Sequence, residues 1–240
     1  MNASASPRIL PCGDTALAVE FGNEIDPAIN ARVLALSTRV NQGVSGVMET
    51  VPTYRSLLVH YDPIVTDFDA LGATLTALSA DLSDTPPEGQ LWRIPVVYGG
   101  AFGIDLDNVA ARHGLTPAEL IARHAAPVYR VYMIGFMPGF AYLGGLDPSI
   151  ATPRREVPRV KTPAGTISIG GVQAAVASIE APSGWHLLGR TPVRTFMLDR
   201  DPPFILGPGD RVTFKPIPAA RWDALDRAAA AGDLVAEPVT

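Results

Sequence analysis

A glycine- and aromatic-rich segment, residues 131–146, contains the residues best suited to line a ligand site. Its four glycines permit positive φ angles and close approach of the backbone, and its aromatic rings supply rigid apolar walls. This composition predicts a slot lined by backbone N–H groups. The alternative is a tightly turned hairpin whose aromatic rings plug the end of a barrel. The predicted substrate-binding residues of this segment are Gly135, Phe136, Pro138, Gly139, Phe140 and Tyr142.

A basic segment, residues 153–163, follows and carries four cations within eight residues. It is the one dense cationic cluster in an acidic chain. Its prolines discourage helix and keep the backbone extended. Guanidinium groups held in this way can clamp a carboxylate or a phosphate through paired hydrogen bonds, so Arg154, Arg155 and Arg159 are candidate anion ligands. A solvated loop without a ligand is the alternative.

Four residues elsewhere are further candidates for ligand binding or proton transfer. Gln173 lies at a glycine-framed turn and could pair with an amide, or it could simply satisfy the turn. Trp185 is either a stacking platform or a core residue, and Arg190 is either a ligand clamp or the partner of a buried carboxylate. His124 ends a predicted helix, whose dipole favours the charged imidazole, so it is a candidate for proton transfer as well as for a structural role. The other histidines, His60, His113 and His186, show no spacing that assigns them a role.

Several classes of site are excluded by what the sequence lacks. It has no phosphate-binding Gly-x-x-x-x-Gly-Lys-Ser/Thr loop, no Gly-x-Ser-x-Gly nucleophile elbow and no His-Glu-x-x-His metal pair. The single cysteine, Cys12, allows neither an internal disulfide nor a cysteine-based zinc site, and no metal ligands are predicted. A nucleotide or a metal ion would therefore be held unconventionally or by another chain.

The amino-acid composition limits the classes of partner that this chain can be expected to bind. The 240 residues are 47% hydrophobic and 18% charged, with a net charge of −5. Residues 1–90 carry four arginines against eleven acids (−7), whereas residues 91–240 carry fifteen basic side chains against thirteen acids (+2). The second part is the better host for an anion, but its small excess argues against a nucleic-acid partner. No apolar stretch approaches the ~20 residues of a membrane span and no secretory signal is recognisable, so a cytoplasmic protein without a membrane partner is expected.

The pattern of elements predicts an α+β fold with two domains. Residues 1–85 show the order strand, strand, helix, strand, strand, helix, which is typical of a small α+β sandwich. The proline-containing stretch 83–90 is the best candidate linker. Residues 91–240 begin with a strand and two short helices and then become rich in short strands punctuated by glycine and proline, which favours a closed β domain. One of these predicted strands spans residues 194–198, and an alanine-rich helix is expected near the end.

These motifs resemble the KipI-type family, also called the B component of 5-oxoprolinase (PxpB) or allophanate hydrolase subunit 1. The similarity extends over nearly the whole chain. The segments that carry it include 13–17, 52–63, 95–100, 135–146, 153–155, 163–165, 184–185, 189–192 and 207–210. The resemblance implies an α+β N-terminal domain followed by a cyclophilin-like β-barrel. One departure concerns Ala174 and Ala175, which stand where the family usually has Thr-Gly beside Gln173.

The resemblance also implies a function. It predicts the PxpB component of an ATP-dependent 5-oxoprolinase, which opens 5-oxo-L-proline to L-glutamate together with a LamB/YcsF-type component (PxpA) and a KipA-type component (PxpC). Mg-bound ATP would be shared with PxpC. In this scheme the basic segment holds an anionic group, Arg190 and Gln173 orient the amide, and His124 assists proton transfer. The alternatives are an inhibitor of histidine kinase autophosphorylation and a component of a carboxyltransferase or allophanate hydrolase.

Overall fold

A computed structural model describes residues 6–86 and 88–239, and the chain divides into two compact units, Met1–Glu88 and Gly89–Thr240. No helix in the described ranges is long and apolar enough to cross a membrane. The fold is α+β, as predicted.

The first unit is a four-stranded antiparallel sheet with two helices. Its strands are β1 (Arg8–Pro11), β2 (Ala16–Glu20), β3 (Val47–Pro52) and β4 (Ser56–Tyr61), in the order β1-β2-β4-β3, and its helices are α1 (Pro27–Asn41) and α2 (Phe68–Leu78). Asp26 caps α1 by accepting from two backbone N–H groups, and Pro27 occupies the first helical position. The alternating inward residues of β2 and β4 pack against both helices, which gives this unit its own core.

The second unit is a closed seven-stranded barrel. The strands of the second unit, inside and outside the barrel, are in chain order β5 (Leu91–Tyr98), β6 (Tyr129–Ile134), β7 (Ala141–Gly144), β8 (Arg159–Thr162), β9 (Thr166–Gly170), β10 (Gln173–Val176), β11 (Ala181–Ser183), β12 (His186–Arg190), β13 (Arg211–Pro216) and β14 (Glu237–Val239). The barrel runs β12-β9-β10-β7-β6-β13-β5 and closes because β5 also pairs with β12, while β14 adds to β5 and β8 pairs with β11 apart from the barrel. The pair β5–β13 is parallel.

In the described part of this unit three α-helices accompany the barrel: α3 (Leu106–Arg112), α4 (Pro117–Ala125) and α5 (Trp222–Ala230). Helix α4 begins with the capping box expected at Thr116 and Glu119, in which each side chain accepts from the other residue's backbone N–H. Apolar side chains from the inner faces of the strands, together with those of α3 and α4, fill the barrel. Helix α3 and the loops after β6 and β7 therefore have a rigid support.

The predicted strand at residues 194–198 is wrong. This stretch has no regular structure beyond an isolated bridge between Phe196 and Phe204. Thr195 is fully buried and donates through Oγ1 to the carbonyl oxygen of Gly139 at 2.9 Å. Through this hydrogen bond the segment supports the glycine-rich loop.

Candidate functional site

A cavity of about 300 Å³ is walled by aromatic rings and arginines; we call it the aromatic cavity. It is lined by Phe136, Phe140, Tyr142, Arg154, Arg155, Pro158, Pro182, Ser183, Gly184 and Trp185. The rings form a continuous series, with centroid distances of 5.6 Å from Phe136 to Phe140, 4.8 Å to Tyr142 and 6.0 Å to Trp185. The structure therefore brings together the aromatic residues and two of the arginines that the sequence singled out.

The loop that carries these rings joins β6 to β7. The N–H of Gly135 donates to the carbonyl of Phe140 at 3.1 Å, so the loop closes tightly. Phe136 has a φ of 67°, in the left-handed region that bulky residues avoid, and its side chain is 57% exposed. Such strain is characteristic of ligand sites, since it persists only where the surrounding structure enforces it. Phe136 thus forms the open rim of the cavity.

Gly139 is required by its position in this loop. Its φ is 72°, and an added Cβ would lie 2.6 Å from the Cβ of Phe196. The φ of Gly135 lies outside the left-handed region, and an added Cβ would meet only the flexible end of Met133 at 3.4 Å. Of the two glycines predicted at the site, only Gly139 is therefore needed for the backbone. Pro138 lies between them at the surface, and its carbonyl accepts from the hydroxyl of Ser178.

Trp185 forms the floor of the aromatic cavity. It is 6% exposed, and its backbone N–H donates to the hydroxyl of Ser183 at 3.1 Å. The ring lies directly over Gly170, where any Cβ would stand 2.7 Å from the indole. The guanidinium of Arg154 lies 5.5 Å from the ring centroid, in cation–π range. Burial raises the pKa of the Tyr142 hydroxyl, and the charge of Arg154 partly opposes that rise. Tyr142 therefore lines the cavity as an uncharged side chain.

Arg159, a predicted anion ligand, lines neither cavity and is engaged by an acid of the same chain. Both of its terminal nitrogens donate to the carboxylate of Asp105, at 2.9 and 2.7 Å. Burial alone would raise the pKa of Asp105, but the hydrogen bonds from Arg159 and from the Leu187 N–H, with the charges of Arg159 and Arg155, lower it overall. The Asp105 side chain is 5% exposed and Arg155 approaches it at 3.5 Å. This pairing fixes the basic segment against the start of α3.

A second, larger cavity also includes part of the basic segment; we call it the polar cavity. Its volume is about 690 Å³, and it is lined by Asn108, Val109, Arg112, Pro153, Arg154, Arg155, Glu156, Val157 and His186. Arg154 and Arg155 line both cavities. Sequence reasoning missed Asn108, Arg112 and His186. His186 is distant from the other two along the chain, and only the fold, which packs α3 beside β12, brings them together.

The predicted catalytic role of His124 is not supported by its position. The ring is fully buried, stacked on Phe214 at a centroid distance of 5.0 Å, and its Nδ1 is 2.8 Å from the hydroxyl of Tyr98. Burial lowers its pKa from 6.5 to about 3. The expectation of a charged imidazole is therefore wrong, because desolvation outweighs the dipole of α4. His124 also lines neither of the two cavities.

Arg190 is occupied by contacts within the chain, which corrects its prediction as a catalytic group. Its Nε and Nη2 donate to the carbonyl of Ala164 at 3.1 and 3.0 Å, and its guanidinium lies 4.8 Å from the ring centroid of Trp222. Burial lowers its pKa. Arg190 lines neither cavity and instead ties the end of β12 to the loop before β9 and to α5.

Gln173 begins β10 and lies opposite Gly170 of β9. Because side chains alternate along a strand, Gln173 shares a face with Ala175, which packs in a small cluster with Phe140 and Trp185. Gln173 is therefore on the face of β10 that supports the aromatic cavity, although it does not line the cavity. Ala174 faces the barrel core and is fully buried. A hydroxyl at position 174 would therefore not reach a ligand in the aromatic cavity.

The described residues meet only part of what ATP and Mg²⁺ require. The arginines of the polar cavity fit an anionic phosphate by charge. Within residues 6–86 and 88–239, no group of three His, Cys, Asp or Glu side chains is placed to hold a metal ion. Mg²⁺ usually keeps several waters and uses substrate phosphates with one or two carboxylates, so its ligands would have to come mainly from outside this chain.

Comparison with known proteins identifies the family. The family model "Carboxyltransferase domain, subdomain C and D" matches residues 7–206. The 5-oxoprolinase B subunit of Bacillus subtilis is 38% identical over 214 residues, covering 84% of this chain and 89% of the relative. The protein of the same name from Haemophilus influenzae is 41% identical over 183 residues, covering 76% and 85% of the two chains.

A solved structure agrees with the fold. The urea amidolyase of Kluyveromyces lactis superposes with a TM-score of 0.81 at 21% identity, over 98% of this chain and 16% of that protein. At this identity the similarity concerns the fold alone. The predicted family resemblance is confirmed by the two 5-oxoprolinase relatives, which this chain matches over most of their length. The chain therefore belongs to the carboxyltransferase-domain family and, within it, to the B subunits of 5-oxoprolinase.

Proposed function

We propose that this chain is the PxpB component of an ATP-dependent 5-oxoprolinase and that the aromatic cavity receives the lactam. The observation that supports this proposal is the combination of aromatic walls with the guanidinium of Arg154 at the rim. 5-Oxoproline is a small five-membered ring with one carboxylate. Its ring faces suit Phe140, Tyr142 and Trp185, and its carboxylate suits an arginine. A volume of about 300 Å³ is at the small end of ligand sites, as such a substrate requires.

The proposed reaction needs activation because resonance makes a lactam a poor electrophile. Overall, water adds across the ring C–N bond to give the carboxylate and amine of glutamate, while a second water accounts for the conversion of ATP to ADP and phosphate. Transfer of the terminal phosphoryl group to the amide oxygen would provide the activation. Cationic donors near the developing charge lower the barrier. Arg154 and Arg155, which line both cavities, are the residues of this chain best placed to supply them.

We further propose that the chain acts only in a complex, with the LamB/YcsF-type PxpA and the KipA-type PxpC, in the cytoplasm. Large apolar side chains are exposed here: Phe136 in the aromatic cavity is 57% exposed, Val157 in the polar cavity 73%, and Val160 of the basic segment 91%. Exposed apolar groups beside a polar site commonly mark a protein contact. A partner protein docked here would cover them and complete the site.

Reconstitution tests this proposal directly. The full chain is combined with its PxpA and PxpC partners, and glutamate and ADP are measured with 5-oxoproline and ATP present. We expect both products in a one-to-one ratio, and neither when this chain is omitted. Undiminished turnover without this chain would reject the proposal, as would no turnover with all three proteins present. A pull-down that recovers a histidine kinase and no PxpC would favour the kinase-inhibitor alternative.

A further inference from the structure

The polar cavity has an excess of positive charge. Arg112, Arg154 and Arg155 line it against a single acid, Glu156. Neither Arg112 nor Arg154 has a carboxylate partner within 4 Å in the described part of the chain. Both are exposed at the cavity wall, so their charges are available to a ligand.

Arg155 contributes a charge that its neighbours do not cancel. The one negative charge of Asp105 is already matched by the two-pronged contact from Arg159. Arg155, at 3.5 Å, is a second cation beside the same carboxylate. Asp105, Arg155 and Arg159 together therefore carry a net charge of +1 at the edge of the polar cavity.

His186 adds an unpartnered polar atom to the same wall. The residue is 9% exposed, and its Nε2 lies 2.9 Å from the carbonyl oxygen of Pro153. A carbonyl only accepts, so Nε2 must carry the hydrogen. Nδ1 then has no partner in residues 6–86 and 88–239 and is not among the enclosed polar atoms. Because the ring lines the polar cavity, Nδ1 is the atom left to meet a ligand.

We propose that the polar cavity binds the phosphate groups of a nucleotide, with Arg112 and Arg155 as charge partners and the cavity-lining ring of His186 beside them. The volume of about 690 Å³ is suitable for a polyphosphate ligand. Because Arg154 and Arg155 also line the aromatic cavity, a phosphate held here lies next to the proposed lactam site. The assignment to a nucleotide rests on the proposed function; the phosphate site itself rests on the geometry.

Calorimetric titration of the full chain with ADP and with inorganic pyrophosphate tests the site. We expect saturable binding that Arg112→Ala weakens about 10- to 100-fold, the effect of losing one charge-assisted pair. Arg227→Ala removes an exposed arginine of α5 outside both cavities and should leave affinity unchanged. Tighter binding of ADP than of pyrophosphate would indicate that the nucleoside is recognised too, whereas equal binding would support phosphate recognition alone.

No saturable binding of either ligand overturns the site. So does equal weakening by Arg112→Ala and Arg227→Ala, because that result would reflect only the net charge. Binding of phosphate without turnover in the reconstituted complex would leave the site intact and remove the oxoprolinase assignment. Turnover in the complex without phosphate binding by this chain would overturn the phosphate site and leave the oxoprolinase assignment intact.

Discussion

His124 shows how a single buried residue differs from its expected role. A histidine at a helix end was predicted to be charged, yet Phe214, Tyr98 and Tyr129 enclose it. The sequence signal for a helix end is local, whereas burial depends on strands that are distant along the chain. His186 is the converse: no spacing marked it, but β12 places it in the wall of the polar cavity.

Acid should destabilise the fold through His124. Its pKa is about 3 in the folded chain and 6.5 when solvated, so the unfolded state binds the extra proton between these values. The stabilisation is therefore complete above pH 6.5 and is lost as the pH falls towards 3. From pH 7 to pH 5 this one group should lower the free energy of unfolding by about 2 kcal/mol. Urea unfolding at the two pH values measures the change.

His124→Phe is the matched variant because it keeps a ring against Phe214 but cannot take up a proton. We expect it to cost about 1 to 3 kcal/mol at pH 7, since the Tyr98 hydroxyl loses its partner. Its loss of stability between pH 7 and pH 5 should be about 2 kcal/mol smaller than that of the parent. Identical pH dependence in the two proteins would show that His124 is not the responsible group.

At the scale of elements, glycines of the same loop have different tasks. Gly139→Ala should lower the free energy of unfolding by at least about 2 kcal/mol, because it combines a φ of 72° with a Cβ 2.6 Å from Phe196. Gly135→Ala is the control, and its cost should stay within about 0.5 kcal/mol. Chemical unfolding of both variants provides the comparison. Equal costs would contradict the described loop.

Elements with strong local signals were predictable from the sequence. Helix α1 follows from Asp26, Pro27 and the apolar spacing, and α4 follows from its capping box. Strand β12 was not predictable in this way: four of its five residues are buried, so it lacks the alternation that identifies a half-exposed strand. The segment 194–198 has strand-like composition, but its Thr195 is used to support Gly139.

The sequence predicted which kinds of residue form the candidate site, but only partly which individual residues line it. The aromatic loop, Arg154, Arg155 and Trp185 meet in the aromatic cavity as expected. In the sequence, Arg159 and Arg190 could not be distinguished from Arg154 and Arg155, since all four are arginines near prolines or glycines. Their partners, Asp105 and the Ala164 carbonyl, become visible only when the barrel closes.

At the scale of the whole molecule, the barrel unit combines an aromatic cavity with a polar one, and the two share Arg154 and Arg155. This sharing is the structural basis of our proposal that a small ring and an anion are held side by side. It also agrees with the charge distribution, since residues 91–240 carry a net +2 against −7 for residues 1–90. Phe136, Val157 and Val160 are exposed and would be covered by the proposed partner protein.

The most direct test measures kcat and KM for 5-oxoproline in the reconstituted three-protein complex containing Arg154→Ala, with Arg227→Ala as the control. Arg154 is exposed, so its removal should not disturb folding. We predict that Arg154→Ala lowers kcat/KM about 10- to 100-fold, as expected for a lost guanidinium–carboxylate contact, while Arg227→Ala behaves as the parent. An Arg154→Ala complex with the parent's kcat/KM would contradict the placement of the substrate in the aromatic cavity.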